Sequence, residues 1–285
     1  MEIALQFVLL ALGFVMLAKG ADWFVEGAAG IAMRFGIPQL VIGLTIVAMG
    51  TSAPEAAVSI AASVKGNADI TIGNIVGSNI LNILVILGLA ASIVPIAVAR
   101  STVRIEIPFM IGVTALLFYQ GRDGSISLAD GGVLMVAFAA YMMYLYTMAM
   151  KSNVDSDLEE PGLPLGRCLL GAVGGLALII AGSNVTVGAA TSIATYAGLS
   201  ERFIGLTIVA LGTSLPELFT SVAAARRGNA DIAIGNIVGS NIFNILFVVG
   251  LSSLIIDIPF ASAFNFDTYV ALGAAVLLLL CVLRT

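Results

Sequence analysis

The sequence predicts an all-α integral membrane protein built from two related units. Hydrophobic residues make up 60% of the 285 residues and charged residues only 10%, whereas soluble domains carry about 25% charged residues. Mean hydropathy is +1.10, so polar side chains are too few to cover a water-facing surface. Backbone groups in lipid must satisfy their own hydrogen bonds, so we expect the apolar runs to be helices. The chain contains no histidine, which argues against zinc, haem and histidine-based catalytic sites.

An internal repeat organises the chain. The segment Val41–Glu55 recurs as Phe203–Glu217, and Gly66–Asn82 recurs as Gly228–Asn244 with 15 of 17 positions identical. Both pairs are separated by the same offset of 162 residues. Self-similarity at one fixed offset is not produced by apolar composition alone and predicts a tandem duplication.

Nine apolar segments are predicted to span the membrane. They cover about 3–33, 38–63, 70–93, 104–120, 127–150, 166–197, 201–225, 232–254 and 266–283. The first unit, 1–150, therefore contains five helices, and the second unit, 165–285, contains four. The polar, acidic stretch 151–164 between them is predicted to be an exposed loop. The offset places a tenth helix beyond residue 285, so we interpret the chain as a shortened form of a ten-helix protein.

The positive charges predict the orientation of these helices. Five spans per unit require the two units to enter the membrane in opposite senses, which is the inverted-repeat design of many secondary transporters. With the N-terminus outside, eight Lys and Arg residues lie inside and three lie outside. Because cytoplasmic loops are enriched in Lys and Arg, this predicts an external N-terminus and a cytoplasmic 151–164 loop.

Two glutamates lie inside predicted membrane helices. Glu55 and Glu217 each end a Gly-Thr-Ser-x-Pro-Glu motif, although a charge at the bilayer centre costs at least ~3 kcal/mol. Pro54 and Pro216 each remove a backbone donor, so we expect the helix to break there and free a carbonyl. Free carbonyls, hydroxyls and a carboxylate together form the all-oxygen environment that Na⁺ and Ca²⁺ prefer. The alternative is a protonated or interhelically bonded structural carboxylate.

A second motif, Gly-Ser-Asn-Ile-x-Asn, supplies the facing wall of this predicted site. Its polar side chains recur every four residues and so share one helical face; they are Asn74, Ser78 and Asn82 in the first unit and Asn236, Ser240 and Asn244 in the second. Ser78, Asn82, Ser240 and Asn244 are predicted to face the glutamates. For Asn74, Asn236, Asn79 and Asn241 we favour a packing role between helices.

Other charged residues receive structural interpretations. Lys19 and Asp22 lie three residues apart and are predicted to pair on the first helix. Asp69 and Asp231 are predicted to cap the helices that follow them. Glu106 lies near the start of its predicted helix and is given no role.

The two motif pairs resemble the α-repeats of the sodium/calcium exchanger branch of the cation/calcium antiporter superfamily. This resemblance covers nearly the whole chain and implies a prokaryotic cell-membrane antiporter with ten helices and a central diamond of four cation sites. It implies that Glu55 and Glu217 bind Ca²⁺. The further ligands it implies are Thr51, Ser52, Thr213, Ser214, Ser78, Ser240, Asn82, Asn244 and the backbone carbonyls of Ala48 and Ala210. The first and sixth helices would slide across the core to give alternating access.

Several alternatives stay open. A Ca²⁺/H⁺ antiporter would use the same two glutamates as proton carriers. A channel is disfavoured because the predicted site is complete within one chain, whereas channels often use rings from several subunits; we therefore expect a working monomer. An enzyme using Ser52 or Ser214 is disfavoured because histidine is absent. We expect Na⁺ and Ca²⁺ as transported ions and no organic cofactor. Potassium-dependent members of the family carry Asp at the position of Asn244, so the resemblance favours a potassium-independent exchanger. The residues do not determine the transport ratio.

Overall fold

The structure is a bundle of helices. The computed structural model describes residues 2–152, 163–200, 208 and 210–283. The helices are α1 (Glu2–Arg34), α2a (Gln39–Thr51), α2b (Ala53–Val64), α3 (Ile70–Ile93), α4 (Thr102–Asp123), α5 (Leu128–Ser152), α6 (Leu165–Tyr196), α7a (Ala210–Thr213), α7b (Leu215–Arg226), α8 (Ala230–Ile255) and α9 (Ala263–Val282).

These helices follow the predicted spans closely. Within the described ranges, seven helices are long and apolar enough to cross a membrane, and the bent pair α2a–α2b brings the number to eight. The first part of the predicted span 201–225 and most of the predicted loop 151–164 lie outside the described residues. The count of nine spans therefore stays a prediction.

The prolines break their helices as expected. The chain bends by 50° between α2a and α2b, and Ser52 at the junction has φ −81° and ψ 5°. The second unit repeats this break at Ser214, between α7a and α7b, with φ −93° and ψ 4°. Pro54 and Pro216 lie just beyond these junctions in the first turn of α2b and α7b, a position that tolerates a missing backbone donor.

The centre of the bundle is α8, which is buried along almost its whole length. Glycines allow it to lie directly against α2a: a Cβ on Gly239 would come within 2.8 Å of the Leu44 backbone, and one on Gly235 within 3.0 Å of Gly43. Close backbone approach at small residues is how membrane helices pack without a hydrophobic driving force. Large apolar side chains such as Leu170 and Val173 are exposed, as expected of surfaces that face lipid.

A separate interface joins α1 to α6. Gly13 and Gly20 on α1 face Gly182 and Gly175 on α6, and Gly27 faces Gly171, so closely that an added Cβ would strike the partner backbone. The two long helices therefore pack backbone to backbone over several turns. This contact makes α1 and α6 a single structural unit beside the rest of the bundle.

A short antiparallel strand pair closes one end of the molecule. Strands β1 (Ser125–Ile126) and β2 (Ile258–Pro259) pair through Ser125↔Pro259 and Ile126↔Ile258. The α4–α5 and α8–α9 connections therefore lie at the same face of the bundle.

Two structural expectations are wrong. Asp22 pairs with Arg227, the residue just after α7b, at 3.6 Å rather than with Lys19, because that face of α1 packs against α7b. Asp231 lies in the first turn of α8, where Asn229 occupies the cap position without a side-chain capping bond. The Asp69 side chain lies outside the described part of the structure.

Candidate cation-binding site

The two glutamates are buried at the breaks. Glu55 and Glu217 are each only 1% exposed. Each lies in the first turn of the helix beyond the break, α2b and α7b respectively. Helix N-termini carry a partial positive charge that stabilises nearby carboxylates. The break therefore provides a local reason why an acidic side chain is tolerated at this depth.

Serines at the breaks connect the two units. Ser52 Oγ donates a hydrogen bond to Glu217 Oε1 at 2.8 Å, and Ser214 Oγ donates to Glu55 Oε1 at 3.3 Å. Each serine thus bonds the carboxylate of the other unit, so both motifs build one site. Among the described residues, neither glutamate Oε2 atom has a hydrogen-bond partner. Buried unpaired carboxylate oxygens are costly, so these two atoms are acceptor positions open to a cation or a proton.

Helices α3 and α8 form the facing walls. Ser78 Oγ of α3 lies 3.5 Å from Ser214 Oγ, and Ser240 Oγ of α8 donates to the Ala48 carbonyl at 3.3 Å. Thr51 Oγ1 donates to the Asn236 side chain at 2.9 Å. Each wall therefore contacts the broken helix that belongs to the other unit.

Asn82 and Asn244 lie between these walls. Both are buried, and both begin a π-helical turn, Asn82–Leu87 in α3 and Asn244–Val249 in α8. Such turns are frequent at functional sites. Each amide nitrogen donates a hydrogen bond, whereas neither Oδ1 has a partner within the described chain.

Asn74 and Asn236 support the glutamates from behind. Asn74 Nδ2 donates to Ser59 Oγ at 2.9 Å and to the Glu55 carbonyl at 3.2 Å. Asn236 makes the matching bonds to Ser221 Oγ at 2.9 Å and to the Glu217 carbonyl at 3.4 Å. The sequence interpretation missed Ser59 and Ser221. Their separation by the repeat offset was the available signal.

The structure brings most of the predicted ligands together. The following belong to the connected network described above: Glu55, Glu217, Thr51, Ser52, Ser214, Ser78, Ser240, Asn82, Asn244 and the Ala48 carbonyl. Thr213 is half-buried and ends α7a. Ala210 begins α7a, and its side chain lies outside the described part of the structure.

A cavity lies beside this network. It has a volume of about 650 Å³ and lies between α2b, α6 and α7a, where its lining includes Pro54, Val58, Ser183, Val187 and Thr213. Pro54 and Thr213 each lie beside a residue of the glutamate network. The cavity therefore adjoins the buried site.

Helix α1 packs on α7b, with the rings of Phe14 and Phe219 6.1 Å apart. Arg227 Nη1 lies 3.2 Å from Glu26 Oε2, next to its contact with Asp22. Ring and ion-pair contacts therefore join α1 to α7b and to the arginine that follows it.

The donor set suits a hard cation. Within the described residues there is no cluster of three or more His, Cys, Asp or Glu side chains. The network instead combines two carboxylates with hydroxyl, amide and backbone oxygens. Oxygen-only ligands of this kind bind Na⁺ and Ca²⁺ rather than transition metals.

Comparison with known proteins agrees with this geometry. A family model described as sodium/calcium exchanger protein matches residues 5–147 and 168–285. The chain is 42% identical to the putative antiporter CaxA of Alkalimonas amylolytica, over 100% of this chain and 91% of that protein. It is 34% identical to the sodium/calcium exchanger MaX1 of Methanosarcina acetivorans, over 99% of this chain and 92% of the relative.

A solved structure shares the whole fold. The sodium-calcium exchanger NCX_Mj, soaked with 10 mM Na⁺ and 10 mM Sr²⁺, superimposes with a TM-score of 0.87 at 34% identity, covering 98% of this chain and 91% of NCX_Mj. The molecule is thus a multi-pass membrane protein whose fold and relatives support exchange of Ca²⁺ against another cation. On this basis, the chain belongs to the sodium/calcium exchanger family.

Proposed function

We propose that the chain exchanges Na⁺ for Ca²⁺ by alternating access, with the ions bound in mid-membrane between Glu55 and Glu217. The reciprocal serine–glutamate bonds carry this proposal, because they place both carboxylates in one buried network and leave both Oε2 atoms unpartnered among the described residues. The similarity to the sodium/calcium exchanger MaX1 and the sodium-calcium exchanger NCX_Mj favours the same pair of ions.

The proposed ligands are those that the motifs supply. They are Glu55, Glu217, Thr51, Ser52, Thr213, Ser214, Ser78, Ser240, Asn82, Asn244 and the carbonyls of Ala48 and Ala210. Two carboxylates balance one Ca²⁺, so either Ca²⁺ or a set of Na⁺ ions neutralises the site. Because both ions need the same oxygens, they compete, and this competition couples the two fluxes. An empty site keeps its charge, which opposes movement past the apolar core.

We further propose that 1–150 and 165–285 are inverted repeats joined by a cytoplasmic 151–164 loop, with nine spans and an external N-terminus. Matched contacts separated by 162 residues support the repeat, as between the Asn74 and Asn236 bonds. The β1–β2 pair supports the four spans from α5 to α8, because an even number of spans returns the chain to the same side of the membrane. All proposed ligands belong to one chain, which supports a functional monomer.

Alternating access would move α1 and α6 together. Their glycine contact joins them tightly, while α6 is separated from α2b by the cavity and α1 is packed on α7b. With an external N-terminus, α2b is the outer half of its span, so the cavity opens outward. Shifting the pair would close that cavity and separate α1 from α7b, where Arg227 holds Asp22 and Glu26.

The second candidate is a Ca²⁺/H⁺ antiporter. It is favoured by the same unpartnered Oε2 atoms, since a proton neutralises a buried carboxylate as a metal ion does. In that mechanism Glu55 and Glu217 would carry protons outward or inward in place of Na⁺. The two candidates differ only in the coupling ion.

Uptake into proteoliposomes distinguishes them. Vesicles loaded with Na⁺ are diluted into radiolabelled Ca²⁺ and compared with vesicles loaded with choline, each with and without an imposed pH gradient. We expect uptake that needs internal Na⁺ and is lost in Glu55→Gln and Glu217→Gln. Glu106→Gln is the matched control, because Glu106 is also a buried membrane carboxylate but lies outside the network. Uptake that follows the pH gradient and ignores Na⁺ would establish the second candidate instead.

A further inference from the structure

We propose that Asn79 and Asn241 are positioning residues that orient the amides of Asn82 and Asn244 so that oxygen, not nitrogen, faces the cation. The inference rests on the proposed function and extends it to two side chains that do not bind the ion. Both were predicted to have only a packing role between helices.

The two positioning residues bond each other's backbone where α3 and α8 meet. Asn79 Nδ2 donates to the Asn241 carbonyl at 3.1 Å, and Asn241 Nδ2 donates to the Asn79 carbonyl at 3.2 Å. A backbone carbonyl can only accept a hydrogen bond. The end of each side-chain amide that faces it must therefore be the NH₂ group.

This first assignment determines the next one. With its NH₂ group engaged, each positioning residue turns its Oδ1 towards the neighbouring ligand asparagine. Asn79 Oδ1 accepts from Asn244 Nδ2 at 3.1 Å, and Asn241 Oδ1 accepts from Asn82 Nδ2 at 2.9 Å. An amide oxygen can only accept, so the facing ends of Asn82 and Asn244 must be nitrogen.

The consequence is a defined orientation at the cation site. The two backbone carbonyls fix the orientation of all four side-chain amides. As a result, the Oδ1 atoms of Asn82 and Asn244 point away from the positioning residues. These two oxygens have no hydrogen-bond partner among the described residues. Asn82 also shares a helical face with Ser78, four residues before it, which lies beside Ser214 of the site.

Burial makes this orientation matter. None of the four asparagines is more than 3% exposed, so water does not readily replace a lost bond. A flipped ligand amide would place its partly positive NH₂ group against the cation and its oxygen against another oxygen. Both contacts are repulsive in a medium that screens charge poorly.

The chemistry also defines when the positioning residue becomes dispensable. A carboxylate presents oxygen at both ends, so its two orientations are equivalent to a cation. Replacing Asn244 by Asp therefore removes the need for orientation. It also creates repulsion between the new carboxylate and Asn79 Oδ1, which deletion of the Asn79 side chain relieves.

A double-mutant cycle on the purified full chain tests this. The Ca²⁺ dissociation constant is measured by equilibrium binding for the wild type, Asn79→Ala, Asn244→Asp and the double variant, with thermal unfolding measured in parallel. We expect Asn79→Ala alone to weaken Ca²⁺ binding about tenfold or more, because it leaves the buried Asn244 amide nitrogen without its acceptor and frees that amide to turn its oxygen away from the cation. In the Asn244→Asp background the same change should weaken binding less than about threefold or strengthen it.

The equivalent double-mutant cycle at the other pair of asparagines provides a second test if a variant of the first cycle fails to fold. Asn241→Ala combined with Asn82→Asp should give the same pattern. Equal weakening by the alanine change in both backgrounds, or a lowered unfolding temperature with unchanged Ca²⁺ affinity, would refute the positioning role. The proposed function fails separately, if Glu55→Gln binds Ca²⁺ as the wild type does.

Discussion

Two adjacent glycines on α6 should respond in opposite ways to the same substitution. A Cβ added to Gly174 would have no heavy atom within 4 Å. A Cβ added to Gly175 would strike α1; the Phe24 backbone nitrogen is its nearest neighbour, followed by the Gly20 carbonyl oxygen at 2.7 Å and Phe24 Cα at 2.8 Å. The atoms it meets are backbone, so no side chain can turn aside. Gly174→Ala and Gly175→Ala therefore form a matched pair.

The distances set the size of the effect. Ordinary contacts begin at 3.4 Å, so α1 and α6 would have to separate by more than about 0.7 Å, enough to lose a quarter or more of each local dispersion contact. Overpacking of this kind costs about 1–3 kcal/mol. Gly174→Ala has no such cost and gains about 0.5–1 kcal/mol from reduced backbone freedom. We expect the free energies of unfolding of the two variants to differ by about 1.5–4 kcal/mol.

Thermal unfolding of the purified variants measures this difference. At about 2–4 °C per kcal/mol, the value for chains of about 150–250 residues, Gly175→Ala should unfold roughly 3–15 °C below Gly174→Ala. It should also slow exchange if α1 and α6 move as one unit. Equal unfolding temperatures for the two variants would show that the backbones are not in contact there.

Three further substitutions test single interactions. Tyr144→Phe removes the hydroxyl that donates to buried Glu106 and should destabilise the chain by about 1–3 kcal/mol, the cost of an unsatisfied buried group; unfolding measures it. Ser183→Ala removes the 2.7 Å bond to the Gly212 carbonyl, which Pro216 frees, and should cost about 1 kcal/mol. Arg227→Gln breaks the α1–α7b ion pairs and should strengthen apparent Ca²⁺ affinity, measured from the side opposite the cavity, roughly twofold to tenfold.

Each of these changes has a neighbouring control. Tyr146→Phe alters a tyrosine that is 60% exposed, Ser192→Ala removes an exposed bond within α6, and Arg226→Gln alters the exposed arginine next in sequence. All three should leave unfolding and Ca²⁺ affinity near wild-type values. If a control variant changes unfolding or Ca²⁺ affinity as much as its test variant does, the proposed role of the corresponding interaction is contradicted.

Part of the site could be predicted because its motifs occur in both units of the repeat. Glu55 and Glu217 stand out because an acidic residue in an apolar helix is costly and is present in both units. The break at Ser52 follows from Pro54, whose missing donor acts locally. Predictions that depended on which helices touch were less successful. Lys19 and Asp22 are near neighbours on α1, but Asp22 contacts Arg227, because helix packing outweighs spacing along one helix.

The membrane class, the helical segments, the duplication and the polar motifs could be predicted from the sequence, since they depend on composition, periodicity and local backbone chemistry. The hydrogen-bond partners could not, because they come from the tertiary structure. It pairs Ser52 with Glu217 and Ser214 with Glu55 across the two units, and Asn79 with Asn244 where α3 meets α8. Such contacts depend on how helices distant in sequence cross and rotate against one another. Periodicity along one helix identifies a polar face but does not specify which residue of another helix lies opposite.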